Sequence, residues 1–110
     1  MTAHSIAHTA TGILLALAST LALADGKPIV VRGEYFYNFE FAYITPEGKN
    51  EQWCTKGDMS KAELPDGWGT TTVEVQGYLS PKGQYGNLGI CKHVLTVKRL
   101  VKATNLRGRR

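Results

Sequence analysis

The sequence predicts an all-β fold, a small five-stranded OB-like barrel with a short helical insert, following an N-terminal signal helix. Three observations carry that expectation. Apolar and polar residues alternate with a period of two along Ile29–Ile44 and Thr70–Leu79, and again, less strictly, along Ile90–Val101. Glycine- and proline-bearing turns separate these runs. A chain this short also has little with which to cover open sheet edges, and closing the sheet removes them. A small β-sandwich is the alternative that the same strand pattern allows.

Met1–Ala24 reads as a signal peptide. An apolar run from Ile13 ends at Ala22-Leu23-Ala24, an A-x-A cleavage pattern, just before the polar break Asp25-Gly26-Lys27-Pro28. The run is shorter than the roughly 20 residues a membrane span needs. The first twelve residues of the leader hold no Lys or Arg, only His4 and His8. Cleavage after Ala24 gives an exported protein, periplasmic or extracellular, whereas a retained leader tethers the domain to the membrane. Residues 25–102 then form the OB-like domain and residues 103–110 a basic flexible tail.

Within the domain, Ile29–Ile44 predicts one long strand or two strands joined by a bend. Val31, Gly33, Tyr35, Tyr37, Phe39, Phe41 and Tyr43 share one face, and Arg32, Glu34 and Glu40 lie on the other. Thr45-Pro46-Glu47-Gly48-Lys49-Asn50 has turn chemistry, and Glu51–Thr55 fits a short antiparallel strand. Asp58–Leu64 predicts one or two helical turns capped by Asp58 or Ser60, ended by Pro65-Asp66-Gly67. Thr70–Leu79 is the cleanest strand, with Thr71, Val73, Val75, Gly77 and Leu79 on its apolar side. A glycine-punctuated connection, Ser80–Gly89, leads to the last strand, Ile90–Val101. There Val94 and Leu100 break the alternation and predict a bulge near Lys98.

Cys54 and Cys91 are the only cysteines, and in an exported chain they predict a disulfide. Closing that loop stabilises the fold by roughly 3–4 kcal/mol in the chain-entropy account. A metal centre is not expected, because His93 is the one histidine left after leader removal and there is no C-x-x-C pair. No cofactor is expected either. Charge is unevenly spread: net +4 overall, with seven basic residues and no acid beyond Cys91.

Val73 to Leu100, V-E-V-Q-G-Y-L-S-P-K-G-Q-Y-G-N-L-G-I-C-K-H-V-L-T-V-K-R-L, resembles the C-terminal half of small uncharacterised exported bacterial proteins. Those proteins have OB-like barrels with a G-x-Y/F-G-x-x-G loop before the last strand. The resemblance implies the fold and the export and assigns no activity.

The leading functional expectation is a non-catalytic exported binding or interaction module for a protein or envelope ligand. OB barrels bind through one sheet face and flanking loops, which nominates Tyr35, Tyr37, Trp53 and Tyr78 with Tyr85, Asn87 and Leu88. The competing assignment of the aromatic stripe is core packing. The Gly83-x-Tyr85-Gly86-x-x-Gly89 loop offers either an anion-binding nest of amides or a tight connection with Tyr85 and Leu88 closing the barrel end. A second reading is polyanion binding, to nucleic acid, an anionic membrane or an envelope polymer, through Lys98, Arg99, Lys102, Arg107, Arg109 and Arg110 of the basic C-terminal strand and tail. Nucleic acid is disfavoured by Glu34, Glu40, Glu51 and Glu74 on the outer faces. A third reading, from a different class, is a small hydrolase or nuclease-like enzyme using His93 with a carboxylate.

Overall fold

Strand β1 (Ile29–Tyr37) folds back through β2 (Ala42–Pro46) and β3 (Gln52–Lys56), and β4 (Gly69–Leu79) and β5 (Cys91–Gly108) complete a closed barrel. The computed structural model describes residues 26–108, so the expected leader Met1–Ala24 and the final Arg109 and Arg110 lie outside it. Strand order around the barrel is β1-β2-β3-β5-β4. Every neighbouring pair is antiparallel except β3–β5, which is parallel. The architecture is the OB-like barrel expected from the sequence, not the sandwich.

Alternation works as anticipated in β4, where Thr71, Val73, Val75 and Gly77 are buried. A barrel of so few strands has an interior filled by side chains, with no room for a channel. Val31, Tyr35, Tyr37, Ile44, Trp53, Val73, Val75 and Leu95 fill it. Complete burial of Ile44, Val75 and Leu95 stabilises by roughly 1.5–3 kcal/mol each. Gly33 and Gly77 sit where strands cross closely. A Cβ at Gly33 would collide with the Thr45 carbonyl oxygen, and one at Gly77 with the Thr96 carbonyl oxygen.

The inward stripe of β1 does not run on into β2. Asn38 Oδ1 accepts the amides of Glu40 and Phe41, both at 2.7 Å, and the Asn38 amide donates to the Phe41 carbonyl at 2.9 Å. This Asx-type turn resets the pleat. Inward positions become even-numbered, Ile44 and Pro46, while Phe39 is 82% exposed. Tyr43 instead meets Phe36, with ring centroids 5.3 Å apart.

The segment between β3 and β4 closes one barrel end. The expected helical turns shrink to a single 3-10 turn, Ser60–Ala62. Its N-cap is Met59, with no side-chain cap bond, so neither Asp58 nor Ser60 takes that place; Asp58 Oδ1 accepts from the Ser60 amide at 2.9 Å and the Ser60 hydroxyl at 2.7 Å. Met59 and Ala62 are buried beneath it. Three interior side chains tie to this plug: Thr71 Oγ1 donates to the Ala62 carbonyl, Tyr35 Oη to Glu63, and Tyr37 Oη accepts the Leu64 amide.

Strand β5 corrects the sequence reading most. Residues 103–108, expected to be a flexible tail, continue the strand and pair with β4, with Val73 opposite Ala103 and Gly69 opposite Gly108. Three register shifts hide that continuity from a period-two search. One is the expected bulge at Lys98, because Gln76 pairs with Arg99 and Gly77 with Val97. Another lies near Asn105, whose φ is +57°.

The Cys54–Cys91 disulfide is formed, with Cα atoms 5.5 Å apart, joining β3 to the first residue of β5. The glycine loop wraps over it. Gly86 has φ +75°, and a Cβ there would come within 2.6 Å of Cys54 Sγ.

Candidate binding surface

The aromatic residues nominated for ligand stacking divide between the inside and the outside of the barrel. Tyr35, Tyr37 and Trp53 are core residues, 1%, 2% and 6% exposed, and so are not available as stacking platforms. The two tyrosines stack on each other with centroids 5.3 Å apart. The barrel needs their volume, which is why a stripe at strand spacing became core. Tyr78 is at the surface on the outward side of β4. Tyr85 is half-buried, its hydroxyl donating to the Pro81 carbonyl at 2.8 Å. Asn87 and Leu88 lie at the exposed tip of the same loop. Leu88, at φ +61°, points into solvent and does not close the barrel.

Several amides of that loop and its flank bond internally. Gly83 donates to Lys92, Tyr85 to Cys91, Gly89 to Gly86, and Cys91 back to Tyr85. With those donors engaged, the glycines serve the crossing over the disulfide.

His93 does meet a carboxylate. Its Nε2 faces Glu51 Oε1 at 3.8 Å, and its ring stands edge-on to Trp53, with centroids 5.2 Å apart. Its Nδ1 lies 2.9 Å from the Ser80 carbonyl oxygen. That oxygen can only accept, so Nδ1 carries the proton. Glu51 also accepts from Trp53 Nε1 at 2.8 Å. This indole N–H, and then the charges of Lys82, His93 and Lys49, hold the Glu51 carboxyl below the usual carboxylate range. The Ser80 hydroxyl donates to Pro81 and accepts the Val94 amide. An acid–base pair must aim a nitrogen at substrate, whereas here one ring nitrogen is held by Ser80 and the other faces Glu51. The cluster fastens the β2–β3 turn to the β4–β5 loop.

What the barrel offers outside is a groove of about 500 Å³ across β2, β1, β4 and β5. Strand pairing builds its floor as two polar rungs. One runs Thr45, Glu34, Thr72, Thr104, each the Cα partner of the next. The second runs Arg32, Glu74, Lys102 in the same way. Glu47 and Lys49 of the β2–β3 turn rise at one side. The charges compensate each other: Arg32 Nε binds Glu74 at 3.1 Å, Arg107 binds Glu34, and Thr72 Oγ1 donates to Glu34 at 2.8 Å. Arg32, Glu34, Thr72 and Glu74 could be read from alternation as outward residues. Their assembly with Thr45 and Thr104 requires the pairing register.

The basic residues assigned to polyanion contact separate in the same frame. Arg107 is paired with Glu34, and Lys102 lies opposite Glu74 in the groove. Lys98 and Arg99 stand together, exposed, at the bulge. Among the described residues no group of three or more His, Cys, Asp and Glu side chains is arranged to hold a metal ion. Compared with protein-family models, with curated proteins and with solved structures, the chain finds no match.

Proposed function

We propose that the protein works outside the cytoplasm as a binding module, a disulfide-stapled barrel that holds a neutral polar chain such as an oligosaccharide in its outer groove. The observation that carries this reading is the self-compensated floor of that groove. Three threonines, Thr45, Thr72 and Thr104, stand there beside Glu34, which Arg107 binds, and Glu74, which Arg32 binds. Such a surface presents fixed hydrogen-bonding groups to hydroxyls without favouring a charged ligand. Pairing on both sides of β1 and β4 at the groove floor leaves no free strand edge there for an added peptide strand. OB-type barrels use their sheet face for oligosaccharides and oligonucleotides, and Glu34, Glu47 and Glu74 disfavour the latter.

The experiment is a backbone-amide NMR titration of the oxidised chain from Asp25 onward with chitohexaose, cellohexaose and a polyanionic control, heparin tetrasaccharide. The reading expects saturable shifts from a neutral sugar at Arg32–Glu34, Thr45–Lys49 and Thr72–Glu74. Shifts from neither neutral sugar at these residues would remove it. Export has its own check: the intact mass of the secreted form should begin at Asp25 and show the loss of two hydrogens for the Cys54–Cys91 bond.

A further inference from the structure

Going beyond the groove, we propose a second site: the notch beside the Lys98 bulge binds a phosphate or sulfate monoester group through Lys61, Lys98 and Arg99. The notch measures about 250 Å³ and is lined by Asp58, Lys61, Val97, Lys98, Arg99 and Leu100. That is below the roughly 300–1,000 Å³ of pockets for whole small molecules, so it suits a single charged group.

Two local features assemble it. In a regular strand, neighbours point to opposite faces, but at this bulge Lys98 has no partner on β4. Lys98 and Arg99 therefore both emerge into solvent. Gly57, at φ +127°, lies so close to Val97 that its Cβ would meet the Val97 Cβ at 3.0 Å. That approach lays the Asp58–Ala62 turn beside the bulge and brings Lys61 to the notch.

Ion pairing separates this cluster from the other two arginines among the described residues, and its gathering around one notch separates it from the scattered lysines. Arg32 and Arg107 each bind a glutamate. Among the described residues, Lys61, Lys98 and Arg99 form no ion pair. The one acid in the notch, Asp58, accepts from the Ser60 amide and hydroxyl and attracts Lys61, which leaves the notch net positive. Three cations gathered around one concavity repel each other, and a bound oxyanion relieves that repulsion. Arg99 offers a planar fork to two oxygens, and the lysines supply point charges.

The test uses the oxidised chain from Asp25 onward and two probes, heparin tetrasaccharide for sulfate and inositol hexakisphosphate for phosphate, titrated at fixed low salt by calorimetry and NMR. Whichever probe binds identifies the source of the oxyanion. Lys98→Gln/Arg99→Gln should lose at least tenfold in affinity, Lys61→Gln severalfold, and Lys82→Gln less than twofold. NMR shifts should centre on Lys61 and Val97–Leu100. Failure of the unsubstituted protein to bind either probe overturns the proposal. An equal loss in Lys82→Gln overturns it too, because that marks a diffuse field instead of a site.

Discussion

The hydroxyl of Tyr35, on the inner face of β1, donates a 2.5 Å hydrogen bond to Glu63 in the plug that closes the barrel. Burial first, and then the Glu63 carboxylate, push the ionisation of this phenol far above its ordinary value of 10.0. Core and plug are thus joined by a group that must stay protonated.

Tyr35→Phe should therefore have two effects. At neutral pH it removes a hydrogen bond to a charged acceptor, costing about 1.5–3 kcal/mol. At alkaline pH it removes a proton linkage. Because the folded-state pKa is raised, the contribution is complete below pH 10.0. Above that value the unfolded chain ionises Tyr35 while the folded chain does not, and stability falls by up to about 1.4 kcal/mol per pH unit. Urea unfolding at pH 8, 10 and 11 should show a steeper loss in the native sequence than in Tyr35→Phe. Equal slopes would contradict the assignment.

The acid side depends on Asp58 and Glu51. The Ser60 hydroxyl and amide lower the Asp58 pKa from 3.8, and the Trp53 indole N–H leads in lowering that of Glu51 from 4.5. Depressed carboxylates stabilise above their unfolded values, and that stability drains as pH falls through the lower folded ones. Asp58→Asn and Glu51→Gln should each flatten the fall in melting temperature between pH 5 and 3. Glu51→Gln keeps an acceptor for Trp53, so its effect isolates the charge.

Gly86 and Cys54 should be energetically coupled. Breaking the disulfide costs roughly 3–4 kcal/mol. Gly86→Ala adds a methyl 2.6 Å from Cys54 Sγ, at a backbone φ of +75°. In a Cys54→Ala/Cys91→Ala background the sulfur is gone and only the backbone strain remains. The Ala substitution should then cost at least about 0.5 kcal/mol less, the scale of a measurable coupling. Additive losses in chemical denaturation would show that loop and disulfide do not touch.

Deleting residues 103–110 distinguishes a strand from a tail. The deletion strips β4 of its partners from Gly69 to Val73 and breaks the Arg107–Glu34 pair. At about 0.5–1.5 kcal/mol per lost hydrogen bond, the expected loss is about 2–4 kcal/mol, or roughly 8–30 °C in Tm for a domain of this size. An unchanged Tm would mean that these residues pack on nothing.

How much could be read in advance follows from how local each signal is. Thr71, Val73 and Val75 announce β4 because alternation is a property of a few consecutive residues. The two cysteines announce their bond because no other partner exists. The Lys98 bulge was visible as a break in the pattern at Val94 and Leu100. By contrast, the Asn38 turn flips the parity of everything after it through one side-chain oxygen, which hid the exposure of Phe39. The successive bulges of β5 cancelled its periodicity, so Ala103–Gly108 looked structureless. Tyr35, Tyr37 and Trp53 were ambiguous between platform and core until barrel closure fixed which side was inside. The groove was the least legible feature, since Thr45, Glu34, Thr72 and Thr104 meet only through three separate strand registers.

The most direct test of the binding account is calorimetric titration of Thr45→Val/Thr104→Val with the neutral hexasaccharide that binds the unsubstituted chain. The exchange removes two hydroxyls from the rung and keeps the branched shape of each side chain. The account predicts at least a tenfold loss of affinity with Tm held within a few degrees. Unchanged affinity in a folded variant would contradict it and move the site away from the groove.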